Sequence, residues 1–144
     1  MNEIEDVILD PLQWNIAVAR GWKDLHLQSY WIEDPHNVWE EPFLKGTSPT
    51  GERDSFVPEW TTNGNDALEL CLEVYDALKV RDRGWWTFEF ESEGVCFNKI
   101  VYGGQILDWI SGNGRDAKAI AELAYKGMKE LDPTIEDSVQ SRET

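Results

Sequence analysis

The residues best suited to chemistry in this sequence are tryptophans that lie near its few arginines. Several Trp residues fall in predicted loops or at the ends of predicted strands, with Arg close by in the chain. An indole ring stacks on a nucleobase, and a neighbouring cation pairs with its phosphate. The pattern therefore predicts a Trp-lined, locally basic pocket for a nucleotide-like ligand. Its candidate lining residues are Trp60, Arg81, Arg83, Trp85, Trp86, Trp109 and Arg115.

The same pattern also has a purely structural interpretation. The chain holds eight Trp in 144 residues, more than a domain of this size hides easily. Indole rings nevertheless fill the seam between helices and a sheet, and Arg stems cover such rings while their charged ends stay in water. The sequence leaves open whether these rings bind a ligand or pack in the hydrophobic core.

Motifs for catalysis or metal binding are missing from the sequence. The two histidines, His26 and His36, and the two cysteines, Cys71 and Cys96, lack the spacing of zinc ligands. No nucleophile elbow, P-loop or dinucleotide-binding glycine motif occurs. The segment 112–114 could offer backbone N–H groups to an anion, although a plain helix cap explains it better. We therefore expect a binding protein without a metal or cofactor, and not an enzyme.

The charge of the chain restricts its partners. The net charge is −15, with 28 acidic against 13 basic residues, so direct binding to nucleic acid or to an anionic membrane is not expected. One interpretation is that the charge only keeps the protein soluble. The other is an acidic face that docks on a basic protein, in effect as a mimic of nucleic acid.

The periodicity of apolar residues predicts an α+β fold. We expect an αβ sandwich, in which two or three helices pack on an antiparallel sheet of about four strands. The first predicted helix begins at Asp10-Pro11, and two further helices are predicted over 65–79 and 116–131. The predicted strands cover 25–32, 85–91, 95–102 and 105–110. A single domain over 1–131 and a disordered acidic tail over 132–144 complete the prediction.

Residues 33–59 interrupt this pattern. Pro35, Pro42, Pro49 and Pro58 lie in the segment, and proline removes a backbone donor and fixes φ. The segment also carries Trp and Phe side chains, so we expect a long loop pinned by its aromatic residues and not a flexible linker.

The start of the chain and its cysteines bear on its location. No basic segment followed by an apolar run opens the sequence, and no window is long and apolar enough to span a membrane. Cys71 and Cys96 fall inside a predicted helix and a predicted strand, which favours buried thiols. We expect a cytoplasmic protein, and the Trp surplus is compatible with a homodimer.

Three stretches of the sequence resemble a known family. They are Gly21-Trp22-Lys23, the segment from Val57 through Trp60 to Asn63, and the helix stretch from Ala117 to Ala124. In this order they resemble the small phage proteins with ABA-sandwich domains, over most of residues 11–131. The resemblance implies an αβ sandwich, a phage or prophage origin and action against host defences or host machinery. It offers no catalytic residues to carry over. The proline-rich insertion and the greater acidity depart from the family.

These observations favour counter-defence by binding inside the host cell. The first hypothesis is that the protein sequesters a nucleotide-derived signalling ligand in the Trp-lined pocket. The alternative is an acidic inhibitor that blocks a basic host defence protein or a nucleic-acid-binding protein. An enzyme without a recognisable site is the third hypothesis.

Overall fold

The described part of the chain is α+β and forms two compact units. The computed structural model describes residues 10–100 and 106–137. One unit holds the described residues up to Pro58 together with Asp137, and the other holds Glu59–Glu136. The single domain expected over 1–131 stays a prediction. In chain order the elements are α1 (Pro11–Ala19), β1 (Lys23–Asp34), β2 (Asn37–Thr47), β3 (Ser55–Phe56), α2 (Gly64–Arg81), β4 (Trp86–Phe90), β5 (Gly94–Ile100), β6 (Ile106–Asn113) and α3 (Ala117–Leu131).

Helix α1 begins where its sequence signals predict. The carboxylate of Asp10 accepts a hydrogen bond from the N–H of Leu12 at 2.9 Å, and Pro11 is the first helical residue. The helix ends at Ala19, and Gly21 follows with a φ of 94°, a conformation that glycine adopts without steric cost.

Strands β1 and β2 form a long antiparallel hairpin, to which β3 adds a short third strand. The pairing runs from Lys23 opposite Thr47 to Asp34 opposite Asn37. Strand β3 pairs only with two residues at the other end of β2. Residues 31–41, which we call the hairpin arm, are therefore a two-stranded ribbon among the described residues.

The structure has strands where the sequence predicts a loop over 33–59. Of the prolines that suggested the loop, Pro42 lies where an edge strand tolerates it, and the other three lie outside the strands. Pro42 is opposite Ser29 of β1, and the other side of β2 has no partner at this point because β3 pairs only with Lys45 and Gly46. Strand β2 is therefore an edge strand here, where a missing N–H is tolerated. Pro35 lies in the hairpin turn and Pro49 in the turn that precedes β3.

The second unit packs two helices on an antiparallel sheet of order β4-β5-β6. Helix α2 begins at an Asn63 cap, whose side chain accepts from the N–H groups of Asn65 and Asp66. The buried stripe of α2 recurs at helical spacing and consists of Ala67, Leu70, Cys71, Val74 and Leu78.

Phe97 of β5 is the centre of this unit's core and is fully buried. The ring of Tyr75 from α2 lies nearly parallel to it with centroids 6.0 Å apart, and Phe88 of β4 meets it edge-on at 5.4 Å. Gly127 of α3 also lies against it, since a Cβ atom there would be 3.0 Å from the Phe97 ring and 2.5 Å from Val74. The absence of a side chain at Gly127 lets α3 approach α2 and the sheet together.

These elements confirm the predicted α+β class but not a single sheet of about four strands. The described strands form two sheets of three, because β1 pairs with the unpredicted β2 and does not join β4, β5 and β6. None of the described helices combines the length and the apolar character needed to cross a membrane.

Two predicted strands and the predicted tail fall partly outside the described residues. The end of the strand predicted over 95–102, the first residue of the strand predicted over 105–110 and residues 138–144 of the tail lie there. Within the described start of that tail, the Asp132 carboxylate accepts from the N–H and hydroxyl of Thr134, which forms a local turn.

Candidate functional site

Two of the predicted pocket residues are core residues. Trp60 is 4% exposed and Trp86 is 2% exposed. The Trp86 ring satisfies its one polar group inside the protein, since its Nε1–H donates to Asp82 at 2.5 Å. For these two rings the structural interpretation applies, and we do not include them in the candidate site.

Asp82 holds Trp86 and Arg81 in place at the end of α2. Its Oδ2 accepts from Arg81 Nη2 at 2.6 Å as well as from the indole, and Lys99 Nζ lies 3.7 Å from Oδ1. The Arg81 and Trp86 hydrogen bonds hold the pKa of Asp82 at about 2, below its ordinary value of 3.8. Arg81 is thus half of an internal ion pair and also pairs with Glu130 at 2.8 Å.

Asp82→Asn is expected to lower the free energy of unfolding by about 1–2 kcal/mol at neutral pH, because charge-assisted hydrogen bonds are lost but Arg81 is partly screened by solvent. A depressed carboxyl pKa stabilises the fold above the unfolded-state value, and this contribution disappears as the pH falls through about 2. Urea unfolding from about pH 7 down to about pH 2 checks this. A difference between the two proteins that stays constant over this range would contradict it.

Three other predicted residues lie at the surface of the same unit. Trp85 is 44% exposed, and Arg83 is exposed in a turn with a φ of 58°. The guanidinium of Arg115 lies 5.7 Å from the centre of the Phe90 ring. The structure therefore does not gather the seven predicted residues into one pocket.

Trp109 lies in an open cleft between β6 and α3. It is 66% exposed, and the cleft has a volume of about 430 Å³. Strand β6 is an outer strand of its sheet among the described residues and forms one wall of the cleft, and α3 forms the other wall. The cleft is lined by Trp109, Ile110, Ser111, Lys126, Lys129 and Glu130.

The cleft is locally cationic although the protein is acidic. Lys126 Nζ donates to the carbonyl oxygen of Ser111 at 2.7 Å, and Lys129 Nζ lies 4.6 Å from the centre of the Tyr125 ring. The one carboxylate in the lining belongs to Glu130, and its ion pair with Arg81 offsets the charge. Two ammonium groups are thus placed beside an exposed indole.

Of the seven predicted residues, Trp109 lines this cleft and Arg81 reaches it through Glu130. Lys126 and Lys129 are not among the predicted residues, because neither lies near a Trp along the chain. Their spacing of three on a predicted helix was the available signal, since such residues share a helix face.

The cysteines are buried and free, as predicted. Burial raises the pKa of Cys71 to about 12, and burial together with a hydrogen bond to Glu91 raises the pKa of Cys96 to about 11. Both are therefore thiols at neutral pH and poor nucleophiles. The described residues contain no group of three or more His, Cys, Asp or Glu that could hold a metal ion.

No protein-family model matches this chain, and neither does any curated protein or solved structure. The resemblance to phage ABA-sandwich domains stays a prediction, together with the origin that it implies.

Proposed function

We propose that this protein works by binding and that the Trp109 cleft captures a nucleotide-derived anion. The observation that carries the proposal is an exposed indole beside two lysines in a chain of net charge −15. A cationic site persists in such a chain only where carboxylates are kept away or neutralised, as the Arg81–Glu130 pair does here.

The chemistry of the cleft fits the two halves of a nucleotide. The flat face of Trp109 offers a stacking platform for a base, which contributes about 1–3 kcal/mol in other proteins. Lys126 and Lys129 offer ammonium groups to the phosphates, at a spacing of one helical turn. A volume of about 430 Å³ lies within the usual range for small-molecule sites.

The proposed biological role is the capture of a signalling nucleotide of host defence. This part rests on the resemblance to phage accessory proteins. A sequestering protein needs a binding site and no catalytic group, and we propose the cleft as that site.

Trp109→Ala is expected to weaken binding of ADP-ribose or a cyclic dinucleotide by about tenfold or more, because the stacking surface is lost. Isothermal titration calorimetry and the ligand-induced rise in melting temperature measure the change. Trp85→Ala is the matched control, since it removes another exposed indole that does not line the cleft. Equal losses in the two variants would contradict the proposed site.

The cationic half of the cleft is tested separately. Lys126→Gln combined with Lys129→Gln should weaken the binding of phosphate-bearing ligands but leave the affinity for adenosine, which has no phosphate, unchanged. The control removes the same charge elsewhere, at Lys79 and Lys118. If neither ADP-ribose nor cyclic dinucleotides bind the wild-type protein, the proposed function is wrong.

A further inference from the structure

The hairpin arm, residues 31–41, exposes large apolar side chains that no described core explains. Trp31 is 69% exposed, Val38 is 55% exposed and Trp39 is 37% exposed. The strand register places Trp31 and Val38 on one face of the ribbon and Trp39 on the other, opposite Ile32. Each face of the arm thus presents an indole, and exposed apolar groups of this size typically mark an interface.

The arm is also uniformly acidic. It contains Glu33, Asp34, Glu40 and Glu41 but no Lys or Arg. All four carboxylates belong to exposed residues, and they lie on the same ribbon as the indoles: Glu40 is directly opposite Trp31, and Glu41 accepts from the Trp39 Nε1–H at 3.3 Å. Aromatic and anionic groups therefore alternate along one strand pair.

We infer that the hairpin arm is a docking surface for a basic protein rich in arginine. A guanidinium pairs with a carboxylate and stacks on an indole face at the same time, so this alternation fits arginine better than any other side chain. Nucleic acid and anionic membranes are repelled by four carboxylates, and a second copy would bring like charges together. The occupant that complements both the charge and the rings is a basic surface of the kind that normally holds nucleic acid.

This surface goes beyond the proposed function, because it uses other residues and another class of partner. The arm belongs to the unit that holds the described residues up to Pro58, and the Trp109 cleft belongs to Glu59–Glu136. The composition alone left open whether the acidic charge is functional. In the arm, four carboxylates lie beside exposed indoles, which gives part of that charge a specific role to test. Variants of the arm and of the cleft can fail independently, so the two proposals remain distinguishable.

The test uses a fluorescein-labelled peptide that alternates arginine with leucine, and its binding to the full chain is followed by anisotropy. Trp31→Ser combined with Trp39→Ser should weaken the affinity by about tenfold or more without a change in charge. The matched control, Leu72→Ser with Val80→Ser, removes exposed apolar groups from α2 and should bind as the wild type does. The single variant Trp31→Ser serves if the double variant does not fold.

The charges of the arm are tested in the same assay. Glu33→Gln with Glu40→Gln should weaken binding and flatten its dependence on NaCl between about 50 and 300 mM. Glu69→Gln with Glu73→Gln removes the same charge from the exposed side of α2. Equal effects of the two pairs would mean that only net charge matters, and would overturn the inference. No binding of the peptide at low salt, or a dimer that dissociates in the Trp variant, would overturn it as well.

Discussion

Trp86→Ala is expected to lower the free energy of unfolding by about 3–5 kcal/mol, the usual cost of truncating a large buried aromatic residue. The ring is 2% exposed, and its Nε1–H is a partner of the Asp82 carboxylate. Removing the indole leaves a cavity at the base of β4 and takes one hydrogen bond from Asp82. For a protein of ordinary stability, such a loss is a large part of the total.

Trp109→Ala is the matched comparison for this prediction. The same substitution at a ring that is 66% exposed should change the free energy of unfolding by less than about 1 kcal/mol. Urea unfolding followed by far-ultraviolet circular dichroism measures both variants without relying on indole fluorescence. Similar losses in the two proteins would contradict the division of the predicted pocket residues into core and cleft.

Gly127→Val is expected to destabilise the second unit by about 3 kcal/mol, at the upper end of the range for overpacking. A Cβ atom at this position would be 2.5 Å from Val74 of α2 and 3.0 Å from the Phe97 ring. Val74 is stiff at χ1 and Phe97 is fully buried, so neither neighbour can move aside cheaply. Helix α3 would have to shift away from the core.

Gly64→Val provides the control for the added side chain itself. Gly64 is the first residue of α2, and a Cβ there meets no atom within 4 Å. The control should therefore change the thermal midpoint only slightly, whereas Gly127→Val should lower it by about 6–12 °C. A Gly127 variant as stable as this control would show that α3 does not need a residue without a side chain at this contact.

Much of the local structure followed from short-range signals. Asp10-Pro11 starts α1 as predicted, because a side-chain acceptor at a helix N-terminus acts within three residues of chain. Helix α2 was predicted to begin at Asn65, but it begins at Gly64, because the side chain of Asn63 accepts the first N–H groups. The buried stripe of α2 and the buried thiols were also predictable, since the apolar period of a helix fixes which face turns inward.

Strand β2 was not predictable in this way. Pro42 is compatible with a strand only if no neighbour needs its N–H, and that depends on how far β3 extends along β2. The length of β3 depends on its pairing with β2, and the residues around Pro42 do not determine it. The same omission led to the expectation of one sheet of about four strands, since it left β1 without its partner.

The candidate site likewise was predictable only in part. The sequence by itself determined that Trp and cations are the residues with chemistry to offer, that recognisable catalytic motifs are missing, and that the chain is strongly acidic. Tertiary structure decided that Trp86 packs inside, that Trp109 faces a cleft, and that its cations are Lys126 and Lys129 from α3. Composition and local spacing fix residue types and helix faces, but burial and the meeting of β6 with α3 depend on contacts between distant parts of the chain.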